Sequence, residues 1–385
     1  MLSQKQIKVA VAGVGFIGPV HIESLRRLPG IEVAAICHSN EKAARQKAAE
    51  LFIPDYYSDF EKMLSEVELD CVHICTPNDL HYHMAKAALL AGKHVVCDKP
   101  LAMTVREAKE LVELAKARNL VHAVNFNIRY YPLVRQMKRM REKGVLGDVY
   151  SVIGSYLQDW LFYNTDYNWR VEAAKTGDSK AIADIGSHLI DLTEYITGLQ
   201  VEEVMADFST VHPTRKKPLK NVDTYSGKLL NAEDYEEVPV HVEDHATVLL
   251  RFNNGRKGSA TVSQVAAGRK NRLNIEISGS KCTLAWCSEQ PNDLFIGKRD
   301  EPNQLLMRDP ALVNDDVKNI ISYPGGHNEG FGDTSKQLFK EIYTDVRNGT
   351  PSVHPPYPTF EQGLRELIIC ESIVQSNKLQ QWVKV

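Results

Sequence analysis

The chain lacks any apolar run approaching the roughly 20 residues that a membrane span needs, so no membrane partner is expected. It also lacks a charge excess. Lys and Arg total 46 against 49 Asp and Glu, for a formal net charge of −3. That balance gives no electrostatic reason to expect nucleic acid or an anionic membrane surface as a partner. Cysteine is scarce and unpaired in pattern: seven residues, an odd number, with no CxxC. Cys37, Cys71, Cys75, Cys97 and Cys370 lie in apolar segments, where thiols behave as small core side chains. A reduced, cytoplasmic setting is therefore expected. No zinc set is visible, since His81 and His83 are two apart at a helix start and cannot share a face, and no metal is expected. Internal repeats and low-complexity tracts are missing too. The start, Met1 to Lys8, leads into a short apolar strand and does not read as a signal-peptide core.

What remains is 385 residues, 43% apolar and 25% charged, enough for two domains with good cores. Up to about residue 125 the chain alternates strand and helix. The strands are Ile7 to Ala12, Val33 to Cys37, Cys71 to Cys75, Val95 to Cys97 and Val121 to Val124. The helices are Gly18 to Leu28, Glu41 to Phe52, Met84 to Ala91 and Val105 to Arg118. Short, continuously apolar strands separated by helices predict a parallel, doubly wound sheet. Near Asn125 the pattern changes. Helix is expected at Tyr131 to Gly144 and Ile182 to Thr197, with Gly198 as its cap, and a strand at Val149 to Gln158. From Val201 to Gly297 strands dominate, with hairpin signals such as Phe252-Asn253-Asn254-Gly255-Arg256, and helices return at Thr334 to Arg347 and Glu361 to Ser376. Pro213 to Pro239, basic at its start and acidic at its end, reads as an exposed excursion. The expected class is α/β: a Rossmann domain over residues 1–126, then an α+β domain over 127–385 with a large open, mainly antiparallel sheet.

Gly13-Val14-Gly15-Phe16-Ile17-Gly18 is a GxGxxG between a strand and a helix. The first glycine makes the tight turn, the second admits a pyrophosphate to the backbone, and the third allows close helix–strand packing. Dinucleotide binding follows. An acidic residue about 20 positions on normally takes the ribose 2′-OH. Here the second strand ends Cys37-His38-Ser39-Asn40, with His38 in the acid's place and Lys42 and Arg45 following. NAD is expected, with NADP left open. Thr76-Pro77-Asn78 ends a third strand on the same carboxyl edge, as a cofactor-lining turn or as a plain helix cap. Lys99, before Pro100, ends the strand His94 to Cys97 where cofactor and substrate meet in open α/β sheets.

Asp184 and His188 are four apart where a helix opens, hence on one face, and Asp184 meets the favourable end of the helix dipole. Oxidising an alcohol needs a base for the hydroxyl proton, and imidazole titrates near neutrality. Lys99 would stabilise charge developing on the same oxygen. Asp184 would orient His188 or a neighbouring hydroxyl, and Asp191 reads as an accessory or helix-surface residue. Tyr156, Gln158, Asp159, Trp160 and Tyr167-Asn168-Trp169-Arg170 mix flat rings with polar groups, as a sugar wall or as core aromatics. His327, in Gly325-Gly326-His327-Asn328-Glu329-Gly330, is a residue that would close over the substrate.

Together with Ala91-Gly92-Lys93-His94-Val95 and Asp98-Lys99-Pro100, these motifs resemble the Gfo/Idh/MocA oxidoreductases across essentially the whole chain. The resemblance implies Lys99, Asp184 and His188 as the catalytic set. The cofactor contacts it implies are Gly13, Gly15, Phe16, Ile17, Gly18, His38, Ser39, Thr76, Pro77, Asn78, His81, Asp98, Lys99, Trp169 and Arg170. Its sugar or cyclitol contacts are Lys99, Tyr131, Gln158, Trp160, Arg170, Asp184, His188 and His327. It also implies a homodimer or homotetramer built on the open sheet. The motifs Gln158-Asp159-Trp160-Leu161 and Asn168-Trp169-Arg170-Val171 resemble the sugar 3-dehydrogenases of that family, which use NAD to oxidise a ring hydroxyl to a ketone. Asp98 departs from the commoner glutamate before Lys-Pro. Two competing readings are a non-catalytic NAD(P)-binding sensor and a glycosidase that uses NAD for transient oxidation.

Overall fold

The computed structural model describes residues 6–219 and 232–385. Two compact units emerge: residues 1–127 with 331–367, and residues 128–330 with 368–385.

In the first unit, strands β1 (Ile7–Ala12), β2 (Ile31–Cys37), β3 (Asp55–Tyr57), β4 (Cys71–Ile74), β5 (His94–Cys97) and β6 (His122–Val124) form one parallel sheet. Their order is β3-β2-β1-β4-β5-β6, the doubly wound arrangement whose topological switch lies between β1 and β4. β3 and the helix Phe60–Glu66 have no apolar periodicity to announce them: Asp55-Tyr56-Tyr57 is largely exposed and holds its place by pairing with β2. The long helix Phe331–Asn348 packs against the helix Ile17–Arg26 in this unit, pinned by an Arg27–Asp333 ion pair at 2.6 Å. The helix that follows, Phe360–Leu379, begins in the first unit and ends in the second.

Polar groups run through this first core as one hydrogen-bonded line. Asn125 Nδ2 lies 3.2 Å from Asp98 Oδ1 and 3.0 Å from His21 Nε2. His21 Nδ1 lies 2.9 Å from His73 Nδ1, and His73 Nε2 lies 2.8 Å from the Tyr343 hydroxyl. A single assignment satisfies every link. Asn125 donates to Asp98 and to His21, His21 donates to His73, and His73 donates to Tyr343, so each ring carries one proton.

The second unit holds a nine-stranded sheet. Its strands are β7 (Val149–Leu157), β8 (Val201–Ser209), β11 (His245–Phe252), β12 (Lys257–Ser263), β13 (Arg272–Gly279), β14 (Thr283–Cys287), β15 (Asp293–Gly297), β16 (Gln304–Met307) and β17 (Val383–Lys384). β9 (Thr214–Pro218) and β10 (Tyr235–Pro239) pair separately as an antiparallel ribbon. The sheet order is β16-β15-β14-β13-β7-β12-β11-β8-β17, antiparallel except for the parallel β7–β12 pair, so it is mixed. The expected exposed excursion at Pro213 to Pro239 is, in its described part, exposed or half-buried throughout except for Arg215, which is fully buried; residues 220–231 lie outside the described residues. One sheet face is covered by the helices Pro132–Glu142 and Ser187–Thr197. On the other face, the register lines up Met205, Leu249, Ser259, Ile153, Glu276, Ala285, Phe295 and Leu305 across eight strands. Leu249, Ile153, Phe295 and Leu305 in that row are exposed.

Burial holds the His21 imidazole down at about 4, with Asp98 partly opposing, and burial beside His21 depresses His73 further. Both rings are therefore neutral when folded, while in the unfolded chain they take up protons near 6.5. Their contribution is complete above that value and is lost as the pH falls from 6.5 towards 4. The expected loss for His21 is of order 3 kcal/mol at the acid end. Urea midpoints measured from pH 7 to pH 4.5 should fall steeply in the native protein and less steeply in His21→Phe.

Candidate active site

In the first unit, most of the expected nucleotide contacts follow strands of the parallel sheet at its carboxyl edge. Gly13 follows β1 at φ +88°, where a Cβ would stand 2.5 Å from the Cys75 carbonyl oxygen, and a Cβ on Gly18 would overlap the Gly13 carbonyl. Only glycine permits this approach. Above Gly15 a Cβ would meet nothing, so the loop has an open cradle, flanked by exposed Phe16 and by Ile17 at the helix start. His38 and Ser39 follow β2. Thr76, Pro77 and Asn78 follow β4, and Thr76 Oγ1 is buried with no hydrogen-bond partner among the described residues. A parallel edge with a glycine cradle and an unanswered hydroxyl fits a nicotinamide dinucleotide.

Asp98 and Lys99 follow β5, and the Lys99–Pro100 peptide is cis. The structure places His81 behind this edge. Its ring is buried, with Nδ1 2.7 Å from the Pro100 carbonyl and Nε2 2.9 Å from the Thr76 carbonyl. It ties the Thr76 turn to the Lys99–Pro100 turn, so its place is that of a strut between two site-bearing turns.

In the second unit, the helix that bears Asp184 and His188 opens as a π-turn over Ile182–Gly186 before the α-helix Ser187–Thr197. Such turns are rare and cluster at functional sites. The Asp184 carboxylate is held on both oxygens: Gln264 Nε2 donates to Oδ2 at 2.8 Å, and Arg170 pairs with Oδ1 at 3.2 Å. Arg170 lies over the Trp169 ring, 4.6 Å from its centroid. His188 is nine-tenths buried, its ring 6.3 Å from that of Tyr156. Gln158 Nε2 donates to Asn271 Oδ1 at 2.7 Å, and its side-chain Oε1 is buried with no partner among the described residues. Asp184, His188, Arg170, Trp169 and Gln158 are thus gathered in one unit. Trp160 is half-buried near the start of the loop that follows β7. Tyr131 is buried against Trp286, ring centroids 5.1 Å apart. Asp191, expected as an accessory or surface residue, is buried and paired on both oxygens with Arg129, which makes it part of the helix packing.

The loop around His327 is fixed from below. Buried Arg308 donates to the carbonyls of Tyr323, at 2.7 Å, of Pro324 and of His327, and it pairs with Glu329 at 2.9 Å. The His327 side chain is exposed.

What sequence reasoning missed is the support beneath the π-turn. Glu243, just before β11, accepts from Ser179 Oγ at 2.8 Å, Lys180 N at 3.0 Å and Ile182 N at 2.8 Å. Its carboxylate therefore answers orphan N–H groups at the start of the helix that bears Asp184 and His188. Asp244 takes the Lys180 ammonium, Arg215 at 2.7 Å and the His212 amide at 3.0 Å, all in the interior. Burial works to raise the Asp244 carboxyl, but Lys180 and Arg215 outweigh it and hold it below its ordinary value. Burial pushes the Glu243 carboxyl up, opposed by the amides it accepts from. The sequence signal was an acidic pair, Glu243-Asp244, at the mouth of an otherwise apolar strand.

Residues 7–126 match the family described as "Oxidoreductase family, NAD-binding Rossmann fold", and residues 134–285 match the GFO/IDH/MocA C-terminal domain. Levoglucosan dehydrogenase of Pseudarthrobacter phenanthrenivorans is 30% identical over 403 aligned residues, covering 99% of this chain and 98% of that protein. Myo-inositol 2-dehydrogenase of Thermotoga maritima is 29% identical over 276, covering 71% and 73%. A solved levoglucosan dehydrogenase in complex with NADH and L-sorbose superposes with a TM-score of 0.88 at 28% identity, covering 99% of each chain.

Asp244→Ala leaves the buried Lys180 and Arg215 charges unanswered, a change expected to cost about 3–5 kcal/mol in urea denaturation. A loss below about 1 kcal/mol would mean that water reaches the cluster.

Proposed function

The chain belongs to the Gfo/Idh/MocA oxidoreductases, and we propose that it oxidises a ring hydroxyl of a glucose-like sugar or a cyclitol to a ketone with NAD. The observation that carries this reading is the helix start in the second unit. There an acid held on both oxygens by Arg170 and Gln264 stands one turn ahead of a buried histidine.

The residues divide the work by their chemistry. His188 takes the hydroxyl proton as general base. Lys99 donates to the same oxygen and stabilises the negative charge that grows there as the proton leaves. Asp184 accepts from substrate hydroxyls, its orientation set by Arg170 and Gln264. Gln158, Trp160, Tyr131 and His327 complete the sugar wall, with ring faces against the apolar side of the sugar and amide groups on its hydroxyls. The glycine loop, His38, Ser39 and the Thr76–Asn78 turn would hold the cofactor, with Trp169 and Arg170 as further contacts. NAD would supply the acceptor for the hydrogen that leaves the carbinol carbon with its electron pair. The overall change is thus one hydroxyl to one ketone with one proton released.

Two further properties belong to this reading. The exposed apolar row on the bare sheet face supports self-association into a homodimer or homotetramer. The seven unpaired cysteines, six of them buried, support a reducing, cytoplasmic setting. No helix among the described residues is long and apolar enough to cross a membrane.

Reduced-nicotinamide absorbance across levoglucosan, glucose, simple glucosides and inositols is expected to rise with at least one polyol class. Silence on all of them would remove the sugar reading and favour a cofactor-binding sensor. His188→Ala and Lys99→Ala should each lower turnover by roughly 100-fold or more while the fold survives. For the assembly, Ile153→Asp combined with Leu249→Asp should bring the mass measured by light scattering down to that of a monomer. An unchanged mass would place the interface elsewhere.

A further inference from the structure

We propose that this enzyme reads the adenosine ribose 2′ position with neutral hydrogen-bond donors, and so binds NADP with an affinity comparable to that for NAD. The proposal deepens the cofactor site of the preceding reading and rests on it.

In a doubly wound fold the 2′ position is read at the end of the second strand, and discrimination against a 2′-phosphate comes from a carboxylate there. β2 ends beside the glycine loop in this protein, since the Gly13 amide donates to the Cys37 carbonyl at 2.9 Å. The residue at the tip is His38. Its backbone amide is fixed to the Tyr57 carbonyl at 3.0 Å, and its ring Nδ1 accepts from the Asn40 amide at 3.0 Å. An Nδ1 that accepts leaves the proton on Nε2, so the half-buried ring keeps one N–H donor while its acceptor is spent on Asn40. Ser39 beside it is exposed and presents a hydroxyl. Both groups can donate to a ribose hydroxyl, and both can equally donate to a phosphate oxygen.

The surrounding charges do not restore the missing discrimination. Asp59 lies within electrostatic reach, since burial and Asp59 together push the Cys37 thiol up to about 11. Its carboxylate, however, is engaged in capping the helix Phe60–Glu66, accepting from the Lys62 amide at 3.0 Å. Asn40 Oδ1 is likewise engaged with the Ala43 amide. On the helix Glu41–Glu50, Glu41 is offset by exposed Lys42 and Arg45, which follow one and four residues later. Two cations against two carboxylates leave the tip without the net negative charge that repels a 2′-phosphate. Neither does the tip offer an arginine fork that would favour the phosphate strongly. Near parity follows from that balance.

The test is a fluorescence titration of the full-length protein with NADH and with NADPH, which reads binding without turnover. The expected result is dissociation constants within about tenfold of each other. His38→Asp places a carboxylate against the 2′-phosphate and should weaken NADPH by at least about tenfold while leaving NADH bound. A native protein that prefers NADH by more than thirtyfold overturns the proposal and leaves the sugar dehydrogenase reading intact. Parity in binding with no polyol oxidised sustains the proposal and removes that reading. Binding of neither cofactor overturns both.

Discussion

A carboxylate taken out of water must have its lone pairs answered, and Asp244 shows how much structure that requirement organises. It lies in the interior, where an unanswered charge would cost several kcal/mol. Its partners come from three places: Lys180 before the helix that bears Asp184 and His188, Arg215 on the ribbon, and the His212 amide. The Gln264 amide donates to the Asp244 carbonyl at 2.9 Å, so the same point also fixes the end of β12. Gln264 in turn holds Asp184. Arg215, spread over the carbonyls of Leu161, Tyr163 and Asp166, carries the constraint into the loop that leads to Trp169 and Arg170. The helix start and the loop that carries Trp169 and Arg170 are both referenced to one buried charge cluster.

The first unit solves a comparable problem with uncharged groups behind a single carboxylate. Its polar line runs from the Asp98 carboxylate to Tyr343 through amide, imidazole and phenol groups whose donors and acceptors alternate. A neutral chain of this kind avoids most of the desolvation that an ion pair would incur. It also fixes the direction of every proton in it. Asp98 is therefore held from inside the core, next to Lys99.

Much of this was legible in the sequence, and for identifiable reasons. Buried parallel strands are continuously apolar, so β1, β2, β4, β5 and β6 announce themselves, and the glycine fingerprint carries its own steric logic at Gly13 and Gly18. β3, β15 and β16 are short or half-exposed and are held by pairing, which composition does not encode. Asp184 and His188 stood out because both can do chemistry. The supporting roles of Glu243, Asp244 and Gln264 were not read, because they depend on long-range pairing between residues 179–184 and residues some 60 to 80 positions later. The π-turn has no local sequence signature at all, and it shifts the helix phase at the site's central acid.

The glycine-rich loop around His327 has a thermodynamic consequence. Glycines lose more conformational freedom on ordering than any other residue, and Gly325, Gly326 and Gly330 would ordinarily make such a loop expensive to arrest. Arg308, with Glu329 and Asn292 around it, gathers three of the loop's carbonyls onto a single guanidinium. The entropy is surrendered once, when the chain folds. A ligand that later meets this loop finds it already arrested, and its affinity reports the quality of the contacts it makes rather than the cost of stilling the backbone.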